Sequence, residues 1–210
     1  GYMSEDDLTL VFDLGGVLID WNPRHLYRKV FMDRESEMDF FLEEICPAEW
    51  NAVQDRGRSI REAVRERVEL FPAYEPLIRI YYGRWEEMVS GPIDGTVSIL
   101  RKLKKSGYQL AALSNWSAET FPRVADRFEF LSWFDPLVIS GEIEMVKPEP
   151  DIYHHLLEKI AKPASSCLFI DDKKENIQTA RDLGFQAIQF SAPDQLSSQL
   201  RNMGVLNGRI

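Results

Sequence analysis

Leu8-Thr9-Leu10-Val11-Phe12-Asp13-Leu14-Gly15-Gly16-Val17-Leu18 decides how this chain is read. An apolar run that ends on a carboxylate reads as a strand buried on both faces, the kind that parallel sheets contain. Its polar end then emerges at the carboxyl edge of the sheet, where open α/β sheets build ligand sites. The two glycines let the backbone turn sharply, which exposes the Asp13 carboxylate and leaves backbone carbonyls free to face a cation.

Outward from this strand the chain alternates. Apolar runs at 109–114, 137–140, 166–171 and 186–190 read as further strands, and periodic segments near 150–161, 174–183 and 193–203 read as helices. A helix follows Gly91-Pro92, with Asp94 as its expected N-cap, Val97, Leu100 and Leu103 as its apolar stripe, lysines in its last turn and Gly107 as its stop. Such alternation calls for a parallel sheet with helices on both faces. From about Trp21 to Ser90 the texture changes to charged, aromatic, helix-period sequence with no convincing strand, and Ile60, Ala63, Val64 and Val68 mark a stripe within it. The fold class expected is α/β, a Rossmann-like parallel sheet core with an inserted α-helical cap, residues 1–20 and 91–210 forming the core and 21–90 the cap.

Composition narrows the function. With 210 residues, 44% of them hydrophobic, the chain can bury a full core, and a formal charge of −9 is wrong for a nucleic-acid binder, which gains affinity from clustered Lys and Arg. Cys46 and Cys167 lack the spacing of a metal site or disulfide framework and read as buried thiols. No apolar stretch reaches the roughly 20 residues a membrane crossing needs, and the first residues lack a signal peptide's basic and apolar regions, so the expected location is cytoplasmic with no membrane partner.

Three more segments carry chemistry. Leu113-Ser114-Asn115 ends a strand, and its hydroxyl, amide and backbone N–H groups suit phosphate oxygens without adding charge. Lys147 sits in the stiff run Lys147-Pro148-Glu149-Pro150, which holds an ammonium where it can neutralise a phosphate. Asp171-Asp172 places two adjacent carboxylates at a buried strand's end, where they repel each other unless a cation or donor compensates; Mg²⁺ is the usual choice when a phosphate completes its shell. Taken singly, each has an ordinary reading as a turn, cap or surface residue. Their joint occurrence in this order does not.

Together these motifs resemble the haloacid dehalogenase-like (HAD) hydrolase superfamily over about residues 8–190, and within it the branch of sugar-phosphate phosphatases, such as α-glucose-1-phosphate phosphatase, and of epoxide hydrolase N-terminal phosphatase domains. The resemblance implies that Asp13 is a nucleophile forming an aspartyl-phosphate, and that Asp13, the Gly15 carbonyl and Asp172 hold Mg²⁺ with Asp171 as ligand or support. It further implies that Ser114, Asn115 and Lys147 bind the transferring phosphoryl group of a small phosphomonoester. From the inserted segments Trp21-Asn22-Pro23-Arg24-His25 and 50–58, Arg56 beside Gly57 is the candidate for reaching over the phosphate or sugar. His154 and His155 read as surface or packing residues, and the aromatic run 81–85 as cap core.

One departure stands out. Phosphatases of this superfamily usually carry a second Asp two residues after the nucleophile as general acid and base, and here that position is Gly15. The competing expectations are a metal-independent 2-haloacid dehalogenase, which also lacks that Asp but has no use for extra carboxylates, and a phosphate-binding protein with little turnover.

Overall fold

The computed structural model describes residues 7–207; the segment 1–6, part of the stretch read as lacking a signal peptide, and residues 208–210 lie outside the described residues. Five strands form one parallel sheet: β1 (Thr9–Phe12), β4 (Gln109–Ser114), β5 (Leu137–Ile139), β6 (Cys167–Asp171) and β7 (Gln186–Gln189), in the order β5-β4-β1-β6-β7. Two more, β2 (Ile19–Trp21) and β3 (Val89–Pro92), pair antiparallel as a separate ribbon.

The central position of β1 explains its sequence. It pairs with β4 on one side and β6 on the other, with Phe12 opposite Ala112 and Ile170, so both faces must be covered and every residue is buried. Side chains alternate across the sheet. Leu10 and Phe12 enter one core with Leu168 and Ile170 of β6 and with Val97, Leu100, Leu103, Leu196 and Leu200 from the helices Asp94–Lys105 and Pro193–Asn202. Val11 enters the other with Leu113 of β4, Phe169 of β6, and Ile152, Leu156 and Ile177 from the helices Pro150–Ile160 and Lys174–Asp182. The expected α/β architecture is therefore realised as a sheet between two helical layers. Cys46 and Cys167 are both free and buried.

All five core strands lie where the sequence reading put them, within a residue or two. The ribbon does not: no strand was expected in 21–90, yet β2 ends at Trp21 and β3 begins at Val89. Three- and four-residue strands, one ending in Gly91-Pro92, carry too little alternation to be read. Asp94 also differs from expectation: Ile93 occupies the N-cap position and Asp94 opens the helix, where its charge still complements the helix dipole.

Between the two ribbon strands lie the helices Pro23–Phe31, Glu35–Phe40, Ala48–Asp55, Ile60–Leu70 and Glu75–Gly83, packed on an aromatic cluster of Tyr27, Phe41, Trp50, Tyr81 and Tyr82. Tyr81, Tyr82 and Trp85 are buried, as the sequence reading expected of that run. Among the described residues no helix is long and apolar enough to cross a membrane.

Candidate active site

β1, β4 and β6 are adjacent, so their carboxyl ends deliver Asp13, Ser114 and Asp171-Asp172 to one edge of the sheet. A carboxylate oxygen from each of Asp13, Asp171 and Asp172 lies within 4.8 Å of the others. Lys147 Nζ reaches the same point, 3.1 Å from Asp13 Oδ1 and 2.7 Å from Asp171 Oδ2, and it also donates to the Leu113 carbonyl at 2.7 Å. Above this floor is a cavity of about 360 Å³ lined by Asp13, Gly15, Ser114, Asn115, Lys147 and Asp172 among others.

Three carboxylates meet one ammonium here, and the titration of the site reflects it. Burial, then the nearby Asp171, pushes the Asp13 carboxyl up to about 8, against the pull of Lys147. Burial and Asp171 likewise raise Asp172, partly offset by hydrogen bonding that includes Asp13. Burial alone would lower Lys147, but Asp13 and Asp171 more than offset it and keep the ammonium charged. The cluster has an excess of negative charge that protons or a cation must balance.

The acids are not equivalent. Asp171 is fully buried, and both its oxygens are committed: Oδ2 to Lys147, Oδ1 to the Lys173 N–H at 2.9 Å, and both to Asn176 Nδ2 at 3.2 Å. Of the two roles the sequence left open for Asp171, this favours support over ligation. Asp172 lines the cavity and lies against Gly16, where an added Cβ would stand 2.6 Å from Asp172 Oδ2 and where φ is +85°. Gly16, rather than Gly15, is thus the glycine whose lack of a side chain the site requires. Asp13, the backbone of Gly15 and Asp172, all oxygen donors beside uncompensated negative charge, fit a hard divalent ion.

The Asn115 side chain is engaged with the Lys147 segment. Its amide donates to the Lys147 carbonyl and accepts from the Lys147 N–H at 2.9 Å each, so it clamps the lysine.

Arg56 is not brought to the cavity with the other candidates. It is half-exposed and pairs with Glu149 at 2.8 Å. An α-helix turns about 100° per residue, so the residue after Asp55 is swung away from the face that meets the cavity. That face is Ala48, Asn51, Ala52 and Asp55, spaced i, i+3, i+4, i+7 along the helix Ala48–Asp55. From the other inserted segment Trp21 lines the cavity, while Asn22 caps the helix Pro23–Phe31, Arg24 pairs with Asp39 and His25 with Asp20. Trp116, Thr120, Lys173 and Asn176 complete the wall without having been singled out, and Trp85, read as cap core, lines it as well. His154 is exposed and His155 half-buried, away from the cavity.

The haloacid dehalogenase-like hydrolase family model matches residues 8–184. The chain belongs to this family. A sesquiterpene phosphatase, AstK, from Aspergillus oryzae is 25% identical over 199 residues, 92% of this chain and 94% of that protein. Bifunctional epoxide hydrolase 2 of Mus musculus is 34% identical over 90 residues, 41% of this chain but only 16% of that protein. Several curated relatives are longer than this HAD-family chain, which spans 20% of one and 46% of another. Among solved structures, the magnesium-bound HAD hydrolase YfnB of Bacillus subtilis superposes with a TM-score of 0.69 at 20% identity, covering 92% of this chain and 98% of that one.

Proposed function

We propose that this HAD hydrolase is a Mg²⁺-dependent phosphatase of a small phosphorylated metabolite, working through an aspartyl-phosphate on Asp13. The observation that carries the reading is the cluster itself: three carboxylates within 4.8 Å of one another, with the Lys147 ammonium bonded to two of them. A site for an anionic substrate that holds three acids needs a cation in addition to Lys147. A metal-free dehalogenase attacking a carboxylate-bearing substrate gains nothing from Asp172. The sesquiterpene phosphatase relative is consistent with this choice.

In this reading Asp13, the Gly15 carbonyl and Asp172 would hold Mg²⁺, which supplies charge neutralisation to the phosphoryl oxygens. Asp171 keeps Lys147 in place. The Lys147 ammonium, the Ser114 hydroxyl and the backbone at Asn115 would face the phosphoryl oxygens as charge builds on them. Asp13 attacks phosphorus, the ester oxygen departs, and water then cleaves the acyl-phosphate, restoring Asp13. The substrate's remaining part would occupy the space under Ala48, Asn51 and Ala52, beside the indoles of Trp21, Trp85 and Trp116.

A panel of phosphomonoesters including p-nitrophenyl phosphate, assayed with Mg²⁺ and with EDTA, tests the proposal. Metal-dependent phosphate release that Asp13→Asn abolishes is expected. Chloride release from 2-chloropropionate that persists in EDTA would establish the dehalogenase instead.

A further inference from the structure

Gly15 leaves the site without an acid at the position two residues after the nucleophile, and nothing lies within 4 Å of where a Cβ there would be. Any proton donor must come from elsewhere in the cavity wall. Among the described residues, the titratable side chains lining the cavity are Asp13, Lys147, Asp172, Lys173 and Asp55, with no histidine, cysteine or tyrosine. Asp13 is the nucleophile in the reading above, Lys147 is bound to two carboxylates, and Asp172 belongs to the acidic cluster. Lys173 follows Asp172 directly and its backbone N–H holds Asp171. Of these titratable residues, Asp55 alone comes from the insertion, at the end of the helix Ala48–Asp55.

Its placement is fixed from both sides. The Asp55 carbonyl accepts a 2.6 Å hydrogen bond from Ser140 Oγ, and that same hydroxyl accepts from the Trp116 N–H at 2.9 Å, so the end of the helix Ala48–Asp55 is tied to the core beside the site. The Ser117 N–H bonds its carboxyl. With the phosphoryl group held on the floor, the leaving oxygen points away from Asp13 for in-line displacement, into the cavity whose wall includes Asp55.

We propose that Asp55 is the general acid and base of this enzyme, taking over the task that Gly15 cannot perform; the proposal rests on the phosphatase reading above. As Asp13 attacks phosphorus and the P–O bond to the leaving group breaks, the leaving oxygen takes the proton of the Asp55 carboxyl and departs as an alcohol. Water then attacks phosphorus and gives a proton to the Asp55 carboxylate. The Asp13–phosphorus bond breaks, releasing inorganic phosphate and returning both side chains to their starting states. The carboxyl is equipped for both steps: burial pushes it up to about 7, with Lys173 and Lys147 pulling the other way. The other titratable groups that feel it are Tyr81 and Tyr82 of the helix Glu75–Gly83.

Leaving-group dependence tests this. p-Nitrophenolate departs without protonation, whereas the alkoxide of a simple alkyl phosphate needs it. With Asp55→Asn, an isosteric change, hydrolysis of an alkyl phosphate should fall by at least about 100-fold, in line with what general acids contribute. p-Nitrophenyl phosphate should still give a burst of one nitrophenolate per enzyme at a rate within about threefold of wild type, followed by slow turnover as water attack loses its base. Equal loss on the two substrates in the first step, or loss on neither, would overturn the assignment. Asp55→Glu keeps a carboxyl while moving it. A fall in the alkyl-to-aryl rate ratio of about tenfold or more is expected, and an unchanged ratio would refute the role. A wild-type protein that turns over neither substrate with Mg²⁺ would instead refute the phosphatase reading, and this one with it.

Discussion

Lys147 Nζ stands 2.7 Å from Asp171 Oδ2, and both side chains are closed off from solvent. This buried pair is the anchor of the site, because Asp171 has no exposed surface and Lys147 turns the same ammonium toward Asp13. A lone buried charge is far costlier than a paired one.

Lys147→Met therefore has two consequences. It leaves Asp171 and Asp13 without their ammonium, and removing one partner of a buried pair costs about 3–5 kcal/mol. Urea unfolding should show a loss of that order, and phosphate release should vanish. Asp171→Asn, which keeps the shape but drops one charge, should fold better than Lys147→Met and still lose most of its activity through a misplaced lysine.

The two glycines of the first motif should respond oppositely. Gly16→Ala puts a Cβ 2.6 Å from Asp172 Oδ2 at φ +85°, so Asp172 must move and metal-dependent turnover should fall steeply. Gly15→Ala meets nothing within 4 Å and should leave stability within about 1 kcal/mol of wild type. In an Asp55→Asn background, Gly15→Asp should recover rate toward alkyl phosphates more than toward p-nitrophenyl phosphate, since only the former needs an acid. Steady-state kinetics on the two substrates separates these outcomes.

Arg56→Ala should be quiet. The Arg56–Glu149 pair is half-exposed on both sides, and such pairs contribute about 0–1 kcal/mol. KM for a phosphomonoester should change less than about threefold, because the guanidinium lies outside the cavity wall. A tenfold rise in KM with unchanged kcat would restore Arg56 as a substrate contact.

What the sequence disclosed follows a physical divide. The strands around Asp13, Ser114 and Asp171 announced themselves because burial on both faces demands unbroken apolar runs, and a polar residue ending such a run is conspicuous. The cap face Ala48, Asn51, Ala52, Asp55 was hidden because a wall facing a polar cavity carries no apolar period to detect. Attention fell on the more eye-catching Arg56, one residue further round the helix. The Asn115 clamp on Lys147 joins residues 32 apart in sequence, a relationship that exists only once β4 and the Lys147 segment are brought together.

Metal and protons should compete for the acidic cluster. The Asp13 carboxyl is raised from an ordinary value near 3.8 to about 8 by burial and Asp171, and Asp55 to about 7 by burial. In the metal-free protein the folded state then holds protons that the unfolded chain has already released between about pH 4 and 8. With fewer protons on the unfolded state, stability must fall as pH rises through that window. The contribution is fully present below pH 4 and gone above 8. In the proposed reading Mg²⁺ would take the place of the proton on Asp13, so it should bind more tightly as pH rises and stabilise by mass action. Thermal melts of EDTA-treated protein should show Tm declining from pH 5 to pH 8, and added Mg²⁺ should raise Tm more at pH 8 than at pH 5. Asp13→Asn should flatten the decline and remove most of the Mg²⁺ response; a Tm shift with Mg²⁺ that is equal at both pH values would mean that the ion does not bind through this carboxylate.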